Sequence, residues 1–534
     1  MMPAAEFIIN IQAIAGAENV LTELPERTFY STDMSAKGEV AEAVVRVDST
    51  DLLSRVVRAC ANGGRIVIPR GGGFSYTGGY LPIVANTIIV DMRGMNAIVE
   101  INRDDMYVVV EAGCTWERLY RALKDKGMRT PYFGPMSGYS ATVGGALSQG
   151  SLFLGSTAYG VVAESVLALE VVIADGSVVK TGSWASTVGT GPFLRNYGPD
   201  LTGLFLSDTG AMGLKTKAVL KLLPFPAHQQ YASFVFDDET AAVRALSAIG
   251  RSGLAAECYC WDPYFVKMMA ASSPGLAQDL KVLAGVVKGG SSLFSGLLNA
   301  TRVAIAGKVV LGGDLFILNI TIDDFSKAGA DARLSSVRKI VADFAGKEIT
   351  ASVPMALRGT PFTNFNVPER RAPLRNLPTN SLSPHSQIGD VVADLRRFLA
   401  EQKELLDRYQ ISCGVIYFAV GAQAVTCEPL LYWEDPEHFL HNRVEERSDI
   451  ASLIGFADHP EATRAALQLR KGLSDVFARH GCAHVQIGKY YPYLQTREAN
   501  TLALLKALKA AVDPENRLNR GSLGFGTEST KHRS

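Results

Sequence analysis

The pattern of apolar and polar residues divides the chain into zones. Between about residues 40 and 225, β-branched runs such as AVVRVDS, RIVIP, TIIVDM and YVVVEAGC predict strands. Amphipathic runs predict helices, DLLSRVVRACANG closing at Gly63 and TWERLYRALKDKG running from a Thr115 cap to Gly127. In VLALEVVIADGSVVKTG, Asp175-Gly176 joins two apolar runs and predicts a hairpin. Strands mixed with helices and hairpins indicate an α+β fold, not a regular βαβ alternation.

The pattern changes after about residue 226. ASFVFDD and FILNITIDD predict strands, and VIYFAVGAQAVTCEPLLYW predicts a β pair. DVVADLRRFLAEQKELLDRYQ predicts one long amphipathic helix and TRAALQLRKGLSDVFARHG another. The proline-rich stretch Val353–Pro384 predicts a loop that crosses between these elements. We therefore expect a first domain over residues 1–225, a second over 226–500, and a final segment, 501–534, whose helix stops at Asp513-Pro514.

Composition narrows the functional classes. A chain of 534 residues, 47% hydrophobic and 20% charged, is long enough for two or three globular domains. The 53 Lys and Arg balance the 53 Asp and Glu, so charge gives no case for a nucleic-acid partner. The seven cysteines lack zinc spacing and fit a reducing compartment. With no basic signal-peptide region and no apolar run of 18 residues, we expect a cytoplasmic protein.

A glycine-rich loop follows the RIVIP strand. Residues Ile68–Pro82 read IPRGGGFSYTGGYLP, with five glycines in fifteen residues. Glycine lets the backbone approach a ligand closely and aim N–H groups at phosphate oxygens. The stretch contains no GxxxxGK[ST] motif, and no helix opens at the third glycine as in a Rossmann loop. We therefore predict a diphosphate held by a different fold, with a flexible turn as the alternative.

Three further segments follow this loop in a fixed order. Residues 134–160 read GPMSGYSATVGGALSQGSLFLGSTAYG, Tyr197 opens YGPDLTGLFLSDTGAMGLKTKAVLKLLPFP, and DPENRLNRGSLGF lies near the C-terminus. Together the four segments resemble the vanillyl-alcohol oxidase and para-cresol methylhydroxylase (PCMH) family of flavoproteins, over roughly residues 40–225 and again at the end. The resemblance implies a PCMH-type FAD-binding domain of two α+β subdomains, and an α+β cap domain with an antiparallel sheet that covers the flavin.

The resemblance also implies where FAD binds. The Arg70–Ser75 loop would hold the pyrophosphate, Ser137–Gly145 would follow the ribityl chain and isoalloxazine, and Asn519 would fold back towards the flavin. The segments Gly155–Gly160 and Gly210–Leu214 would flank the adenosine and the flavin edges. The residues implied in cofactor binding are Pro69, Arg70, Gly71, Gly72, Gly73, Phe74, Ser75, Gly78, Pro135, Ser137, Gly138, Thr142, Val143, Gly144, Gly145, Ser148, Gly155, Tyr159, Gly160, Gly210, Gly213, Leu214 and Asn519.

We expect FAD to be bound without a covalent link. Some relatives attach FAD through a histidine in the first glycine loop, where this chain has Gly73-Phe74-Ser75. Vanillyl-alcohol oxidase uses a cap-domain histidine, and the corresponding stretch here, AVGAQAVTCEPL, has none. Cys427 in that stretch leaves a cysteinyl link open as an alternative, although a buried structural thiol is the simpler interpretation.

Departures from the family pattern limit the substrate. Phenol oxidases of the family bind a phenolate with two tyrosines and an arginine. Tyr76 falls at one tyrosine position, but Val485-Gln486 stands where the tyrosine–arginine pair is expected, and Met136 replaces an acidic residue. The histidine motifs GDGNxH and EHGIG of the hydroxy-acid branch are also absent. We expect no metal site. The alternative is a metal site formed by Glu437-His438 and His441-Asn442.

His484 is the first candidate for a catalytic base. It lies in AHVQIG, which predicts a β segment, and a neutral imidazole can take a hydroxyl proton as hydride leaves. A hydrogen-bonded structural histidine is the alternative. The catalytic set implied by the sequence is His484, Lys489, Tyr490 and Tyr76. Further candidates for binding a carboxylate or phenol oxygen are Tyr493, Arg358, Arg370, Arg371 and His385.

We therefore predict an FAD-dependent oxidase or dehydrogenase. It would remove a hydride from a CH–OH or benzylic carbon of a phenol, aromatic alcohol or hydroxy acid and pass electrons to oxygen, a quinone or another acceptor. A D-2-hydroxy-acid dehydrogenase coupled to a quinone and a catalytically silent flavin-binding module are the alternatives. Leu280–Gly313, apolar with Lys and Arg as its charges, is compatible with peripheral contact to the inner membrane face; cap helices packed on the core or on a second subunit are the simpler explanation. We expect a homo-oligomer, a dimer being the simplest.

Overall fold

The computed structural model describes residues 2–189, 191–272, 314–362, 374–435 and 459–527. Strands and helices alternate through the first domain, as the hydrophobic pattern predicts. The strands are β1 (Val20–Leu21), β2 (Ala43–Arg46), β3 (Ile66–Arg70), β4 (Thr87–Asp91), β5 (Ile98–Asn102), β6 (Tyr107–Glu111), β7 (Met128–Arg129), β8 (Val166–Val172), β9 (Val178–Lys180), β10 (Leu214–Lys221) and β11 (Leu223–Pro224). The helices are α1 (Ala4–Ala15), α2 (Leu24–Tyr30), α3 (Thr50–Gly63), α4 (Trp116–Lys124), α5 (Val143–Gln149), α6 (Ser156–Tyr159) and α7 (Leu201–Leu204).

Two sheets organise this domain. The first has the order β1-β2-β4-β3, with β2 and β3 both parallel to β4. The second is antiparallel, in the order β5-β6-β10-β8-β9. Each sheet has its own apolar core, one packed around α1 and α3 and the other around α4 and α5. The two small sheets are the two subdomains expected from the sequence.

Local signals place the element ends as predicted. The Thr115 hydroxyl accepts a hydrogen bond from the Arg118 N–H at the start of α4. Gly176 lies in the turn between β8 and β9 with φ +84°, the conformation that an Asp-Gly turn requires. Helices α1 and α2 are additional, since the sequence before residue 40 predicted no element. Helix α1 is held by Phe7 and Ile11, which are fully buried against the first sheet's core.

The second domain is built on one antiparallel sheet, covered on one face by helices. Its strands are β12 (His228–Phe236), β13 (Glu257–Trp261), β14 (Phe316–Asp324), β15 (Lys347–Ile349), β16 (Leu374–Pro378), β17 (Ser381–Pro384), β18 (Ser412–Val420) and β19 (Ala424–Glu434). Its helices are α8 (Glu239–Ser252), α9 (Pro263–Ser272), α10 (Lys327–Ala342), α11 (Ser352–Gly359), α12 (Ile388–Glu401), α13 (Lys403–Arg408) and α14 (Pro460–Arg479). The α+β class predicted from the sequence is confirmed in both domains.

The order of this cap sheet is β15-β12-β14-β13-β18-β19-β16, and β17 also pairs with β19. Along β19, Val425, Cys427 and Leu431 point into the core formed with α8, α10, α12 and α14. The alternate residues point the opposite way, with Tyr259, Phe418 and Tyr432, to a face that we name the inner face. Leu152 and Phe153 of the first domain pack on this inner face, so the cap sheet lies against the first domain.

Three local predictions were wrong. Val353–Pro384 is not a continuous loop, because α11, β16 and β17 occupy most of its described part. The predicted long helix is two, broken at Gln402, whose backbone is not helical. AHVQIG is not a strand, because Gln486 and Gly488 have positive φ and turn the chain there; Ala483 alone makes a bridge, with Leu382.

The C-terminal segment returns to the first domain. Helix α15 (Ala499–Val512) ends at Asp513, and the following residues reach β3. Leu518 bridges Val67 in parallel, and the Asn519 N–H donates to the Val67 carbonyl at 2.8 Å. Within the residues that the structure describes, no helix is both long and apolar enough to cross a bilayer. The Leu280–Gly313 segment lies outside the described residues.

Candidate active site

A cleft opens between the two subdomains. Predicted cofactor residues that line it are Pro69, Gly71, Gly72, Gly73, Phe74, Ser75, Pro135, Ser137, Thr142, Gly144, Gly145 and Ser148. The sequence did not single out the other lining residues, Gly79, Tyr80, Met92, Ala112, Ala141, Ala146, Gln149, Ser151, Thr209, Lys215 and Gln486.

The glycines clear space for the two loops to approach each other. A Cβ atom on Gly72 would collide with the Ser140 carbonyl oxygen, and one on Gly71 would collide with the Thr142 hydroxyl. Gly73 has φ +83°, which other residues rarely adopt. The first glycine loop therefore lacks side chains for two reasons. Its backbone faces the cleft on one side, and on the other side it packs against the second glycine-rich segment, residues 134–160.

Arg70 and Asp33 support the first loop from beneath. The Arg70 guanidinium is buried and lies 4.7 Å from the Tyr30 ring centroid and 5.1 Å from that of Tyr80. The Asp33 carboxylate accepts a hydrogen bond of 2.8 Å from the Gly78 N–H. Burial raises the pKa of Asp33, opposed by its hydrogen bonds to backbone N–H groups. Arg70 and Gly78 are therefore placed to shape the loop; neither lines the cleft.

Polar atoms in the cleft are free to meet a ligand. Within the described residues, Gln149 Oε1 and Thr209 Oγ1 are buried without a hydrogen-bond partner. Lys215 is the cationic residue of the lining, and its Nζ lies 2.6 Å from Asp208 Oδ1. Bare glycine backbone, orphaned polar atoms and a lysine together suit an elongated diphosphate ligand. The signal for Thr209 and Lys215 was present in the sequence, because they flank Gly210 and Gly213.

The remaining predicted cofactor residues do not line the cleft. Val143 and Leu214 point into the cores, and Gly138, Gly210 and Gly213 allow close packing against Phe362, Pro69 and Val171. Gly155, Tyr159 and Gly160 bound helix α6, which docks on the cap: the Gly421 N–H donates to the Ser156 carbonyl, and the Thr157 hydroxyl to the Ala419 carbonyl. A direct FAD contact by these residues stays a prediction.

Lys489 and Asn519 lie directly behind the first glycine loop. The Lys489 ammonium donates to Asn519 Oδ1 at 2.6 Å and to the Gly78 carbonyl at 3.3 Å. The Asn519 amide donates to the carbonyls of Gly79 and Thr209, both of which line the cleft. Burial lowers the pKa of Lys489 to about 7. The pair ties the C-terminal return to the cofactor cleft, and Lys489 itself does not line it.

His484 lies two residues before Gln486 of the cleft wall. Its Nδ1 is 2.8 Å from the Asn380 carbonyl oxygen, which only accepts, so Nδ1 carries the proton and Nε2 is left as an acceptor. The imidazole stacks on Tyr491, with ring centroids 3.9 Å apart. Burial lowers the pKa of His484, so the ring is neutral near pH 7. His484 itself does not line the cleft, so its role as a proton acceptor stays a prediction.

The other predicted catalytic tyrosines are spread around this segment. The Tyr490 ring lies under the Arg470 guanidinium at 3.8 Å, and its hydroxyl is 3.1 Å from the Ser474 hydroxyl. Tyr76 packs against the helix-covered core of the cap. Neither lines the cleft. Their catalytic roles therefore stay predictions, with structural contacts as a sufficient explanation for Tyr490.

The second-rank candidates have structural partners. Arg358 bonds Asp323 at 2.8 Å and Glu257 at 2.9 Å, and the His385 ring bonds the Ser247 hydroxyl. Cys427 is fully buried in the helix-covered core. Arg370, Arg371, Glu437-His438 and His441-Asn442 lie outside the described residues. Within the residues described, no group of three or more His, Cys, Asp or Glu side chains is placed to hold a metal ion.

Comparisons with known proteins agree with this architecture. Residues 41–182 match the FAD binding domain family and residues 392–523 the C-terminal domain of FAD linked oxidases. The chain is 30% identical over 238 residues to the glycolate oxidase subunit GlcD of Bacillus subtilis, covering 44% of this chain and 48% of that protein. It is 28% identical over 229 residues to a mitochondrial D-lactate dehydrogenase [cytochrome] of Saccharomyces cerevisiae, covering 42% and 37%. These matches thus span half or less of each relative.

A solved structure matches nearly the whole chain. That structure is p-cresol methylhydroxylase with substrate bound, at TM-score 0.72 and 19% identity, covering 98% of this chain and 96% of that one. A two-subdomain domain with a glycine-lined cleft, covered by an antiparallel cap, defines an FAD-binding flavoprotein. Within that class, the chain belongs to the family of FAD-linked oxidoreductases with a PCMH-type FAD-binding domain.

Proposed function

We propose that this protein is an FAD-dependent oxidoreductase that removes a hydride from a CH–OH or benzylic carbon of a small substrate. The observation that carries the proposal is the continuity of the cleft with the cap. Ser151 lines the cleft, and the next two residues, Leu152 and Phe153, pack on the inner face of the cap sheet. A substrate between this part of the cleft and the cap would meet the cofactor on one side and cap side chains on the other.

The chain's own residues supply binding and orientation. The two glycine loops offer backbone N–H groups to the diphosphate of FAD, and Lys215, which is paired with Asp208, lies beside them. Bound FAD supplies the hydride acceptor. The cap packs on the first domain through Phe153, whose ring centroid is 5.8 Å from that of Phe418.

His484 is proposed as the group that takes the substrate proton. As the substrate carbon gives up hydride, its hydroxyl must lose a proton for the carbonyl to form, and Nε2 of the neutral ring is a suitable acceptor. The Asn380 carbonyl and the Tyr491 ring hold the imidazole in one tautomer and one orientation. A structural histidine would need these same contacts, so activity measurements must separate the two roles.

A D-2-hydroxy-acid dehydrogenase is the second candidate. Similarity to a glycolate oxidase subunit and to a D-lactate dehydrogenase favours it. Such a substrate needs a cation for its carboxylate. Arg129 of the first domain and Arg358 of the cap both bond Asp323, and Arg358 also bonds Glu257. The four groups neutralise one another and leave no excess positive charge for the carboxylate of a substrate.

An anaerobic screen tests the proposal. The purified holoprotein is mixed without oxygen with alcohols, 4-alkylphenols and 2-hydroxy acids, and the flavin absorbance is followed. Bleaching by a member of the first two sets is the expected result. Bleaching by hydroxy acids alone would favour the second candidate. If dithionite reduces the flavin but no compound of the three sets does, the result contradicts the proposed reaction.

Reoxidation identifies the electron acceptor. After reduction by substrate, the holoprotein is exposed to oxygen or, separately and without oxygen, to a soluble quinone analogue. We expect recovery of the flavin absorbance with one of the two acceptors. Recovery of the flavin absorbance with the quinone and not with oxygen would define a dehydrogenase. Rapid recovery of the absorbance in air would define an oxidase.

A further inference from the structure

The inner face of the cap carries an unpartnered carboxylate. In β19, Glu428 alternates with Cys427, which points into the helix-covered core, so Glu428 points to the inner face with Leu430 and Tyr432. Its strand partner is Ile416, another inner-face residue. Among the described residues, Glu428 has no hydrogen bond or ion pair. Glu428 is half-buried, and a carboxylate held there without a protein partner points to a ligand that can donate a hydrogen bond to it.

A second polar group points the same way. Thr426 lies two residues before Glu428 on β19, so both side chains leave the strand on the inner face. Thr426 is 0% exposed, and its hydroxyl lacks a partner among the described residues. The strand partner of Thr426 is Phe418, whose ring packs with that of Phe153. A buried hydroxyl and a carboxylate thus lie beside aromatic rings next to the cleft wall.

The same region includes the predicted base. Glu428 lies close enough to Tyr491 to affect its hydroxyl electrostatically, and the Tyr491 ring stacks on His484. The backbone then leads to Gln486, whose N–H bonds the Gln149 carbonyl in the cleft wall. Glu428 and Thr426 therefore lie on the inner face of the cap, with Tyr491 between Glu428 and His484, although neither residue lines the cleft itself.

We propose that Glu428 and Thr426 bind the hydroxyl of a neutral, ring-bearing alcohol, and that Glu428 excludes substrates that carry a carboxylate. The inference rests on the proposed function and narrows it to one substrate class. A negative charge without a nearby cation repels an anionic ligand and accepts a hydrogen bond from an alcohol. Burial raises the pKa of Glu428 to about 7, and no cation among the described residues opposes the shift.

Ligand binding to the holoprotein tests this without turnover. Benzyl alcohol and benzoate have the same ring and differ in charge, and each is titrated while the flavin absorbance is recorded. At pH 8, benzyl alcohol should bind at least about tenfold more tightly than benzoate, the factor that one modest charge repulsion gives. Glu428→Gln should reduce the difference to below about threefold by strengthening benzoate and weakening the alcohol. Glu434→Gln, exposed at the end of the same strand, is the matched control and should bind like the wild type.

The pH dependence gives an independent readout. Benzoate stays ionised between pH 6 and pH 8, whereas Glu428 becomes protonated as pH falls through about 7. Benzoate should therefore bind the wild type more tightly at pH 6 than at pH 8. This change should be smaller in Glu428→Gln, where only Lys489 and His484 still gain protons as the pH falls. Thr426→Val should weaken benzyl alcohol alone.

Three results of the binding experiments would overturn the inference. The first is equal affinity for both ligands in the wild type, and the second is no spectral change with either ligand. The third is a Glu428→Gln variant that keeps the wild-type preference and pH dependence. Reduction of the flavin by mandelate as fast as by 1-phenylethanol would support the oxidoreductase yet contradict the substrate class. Selective alcohol binding without any flavin reduction would support the binding preference and contradict the proposed oxidoreductase activity.

Discussion

Lys489 donates a hydrogen bond of 2.6 Å to Asn519, and this contact joins two segments that enclose the cofactor cleft from behind. The Lys489 backbone N–H also donates to the Thr77 carbonyl, at 2.8 Å, in the first glycine loop. The Asn519 amide in turn holds the carbonyls of Gly79 and Thr209. The cofactor loop, the third glycine segment and the C-terminal return therefore depend on one pair of side chains.

Lys489 should make stability depend on pH. Burial lowers its pKa in the folded state to about 7, from 10.5 in the unfolded chain, although the coulombic effect of Asp33 opposes the shift. The folded protein then binds fewer protons between these values, so the free energy of unfolding rises with pH, by at most about 1.4 kcal/mol per pH unit. We expect Lys489→Met to lose this rise between pH 8 and 9.5 in urea unfolding. An identical rise in both proteins would contradict the lowered pKa.

Gly72→Ala should reduce FAD binding. The new methyl group meets the Ser140 carbonyl, so the two glycine loops must separate and the cleft must widen. We expect FAD affinity to fall by about tenfold or more, equivalent to at least about 1.4 kcal/mol, measured by flavin fluorescence in reconstitution. Gly389→Ala, where the methyl meets open space, should keep wild-type affinity. Full FAD content in Gly72→Ala would show that the loops are not held as described.

Acid precipitation should release FAD into the supernatant. Neither histidine position that attaches FAD in relatives has a histidine here, and the Cys427 thiol points into the helix-covered core, away from the inner face. Its burial raises the pKa of Cys427 well above the usual value, which disfavours the reactive thiolate. The released flavin is measured by absorbance. Flavin that stays in the pellet would require a covalent link, and mass spectrometry of its peptides would locate it.

His484→Ala should slow flavin reduction and leave FAD content unchanged. Loss of a positioned base costs about 10²- to 10⁴-fold in rate. Because burial lowers the pKa of His484 from 6.5, the wild-type rate of anaerobic reduction should fall as pH drops below about 6.5. That fall should disappear in the variant. His459→Ala, an exposed histidine at the start of α14, is the control. An unchanged rate in His484→Ala would assign the ring a structural role.

Asp323→Asn should destabilise the contact between the domains. Asp323 of the cap bonds Arg358 at 2.8 Å and Arg129 of the first domain at 3.2 Å, and all three side chains are buried. Removing the charge leaves two buried guanidinium groups with Glu257 alone, at a cost of about 3–5 kcal/mol. Asp331→Asn, whose partner Lys327 is exposed, should change the free energy of unfolding by less than about 0.5 kcal/mol. Equal changes in the free energy of unfolding in Asp323→Asn and Asp331→Asn would mean that water screens the charges around Asp323.

Much of the fold was predictable because local signals and burial agree. The runs RIVIP and TIIVDM became the parallel neighbours β3 and β4, and the Thr115 cap and Asp175-Gly176 turn formed as expected. The exceptions have local physical causes. Gln402 breaks a helix whose apolar periodicity continues, and positive φ at Gln486 turns an apolar stretch that alternates like a strand. Periodicity alone does not report such backbone changes.

The parts of the site that contain glycine-rich loops could be predicted from the sequence. The parts that depend on which side chains contact each other in the folded protein could not. Gly71–Gly73 identified the cleft, yet the structure shows that Gly72 is bare chiefly because Ser140 is close. Lys489 stood out as a charge near the expected base, but its partner Asn519 could not be known without the return of the C-terminus. Glu428 was missed because a lone glutamate in a strand gives no signal until its lack of a partner is visible.

The return of the C-terminus to β3 also sets the order in which the protein can mature. Gly79 and Asn519, which hydrogen-bond each other, are separated by 440 residues. A ribosome must therefore translate nearly the whole printed sequence before the back of the cofactor cleft can close. Flavin capture should then follow synthesis instead of accompanying it, and an interrupted translation product should leave the ribosome colourless. Bound flavin thus becomes a marker that residues as late as Asn519 have been made and folded into place.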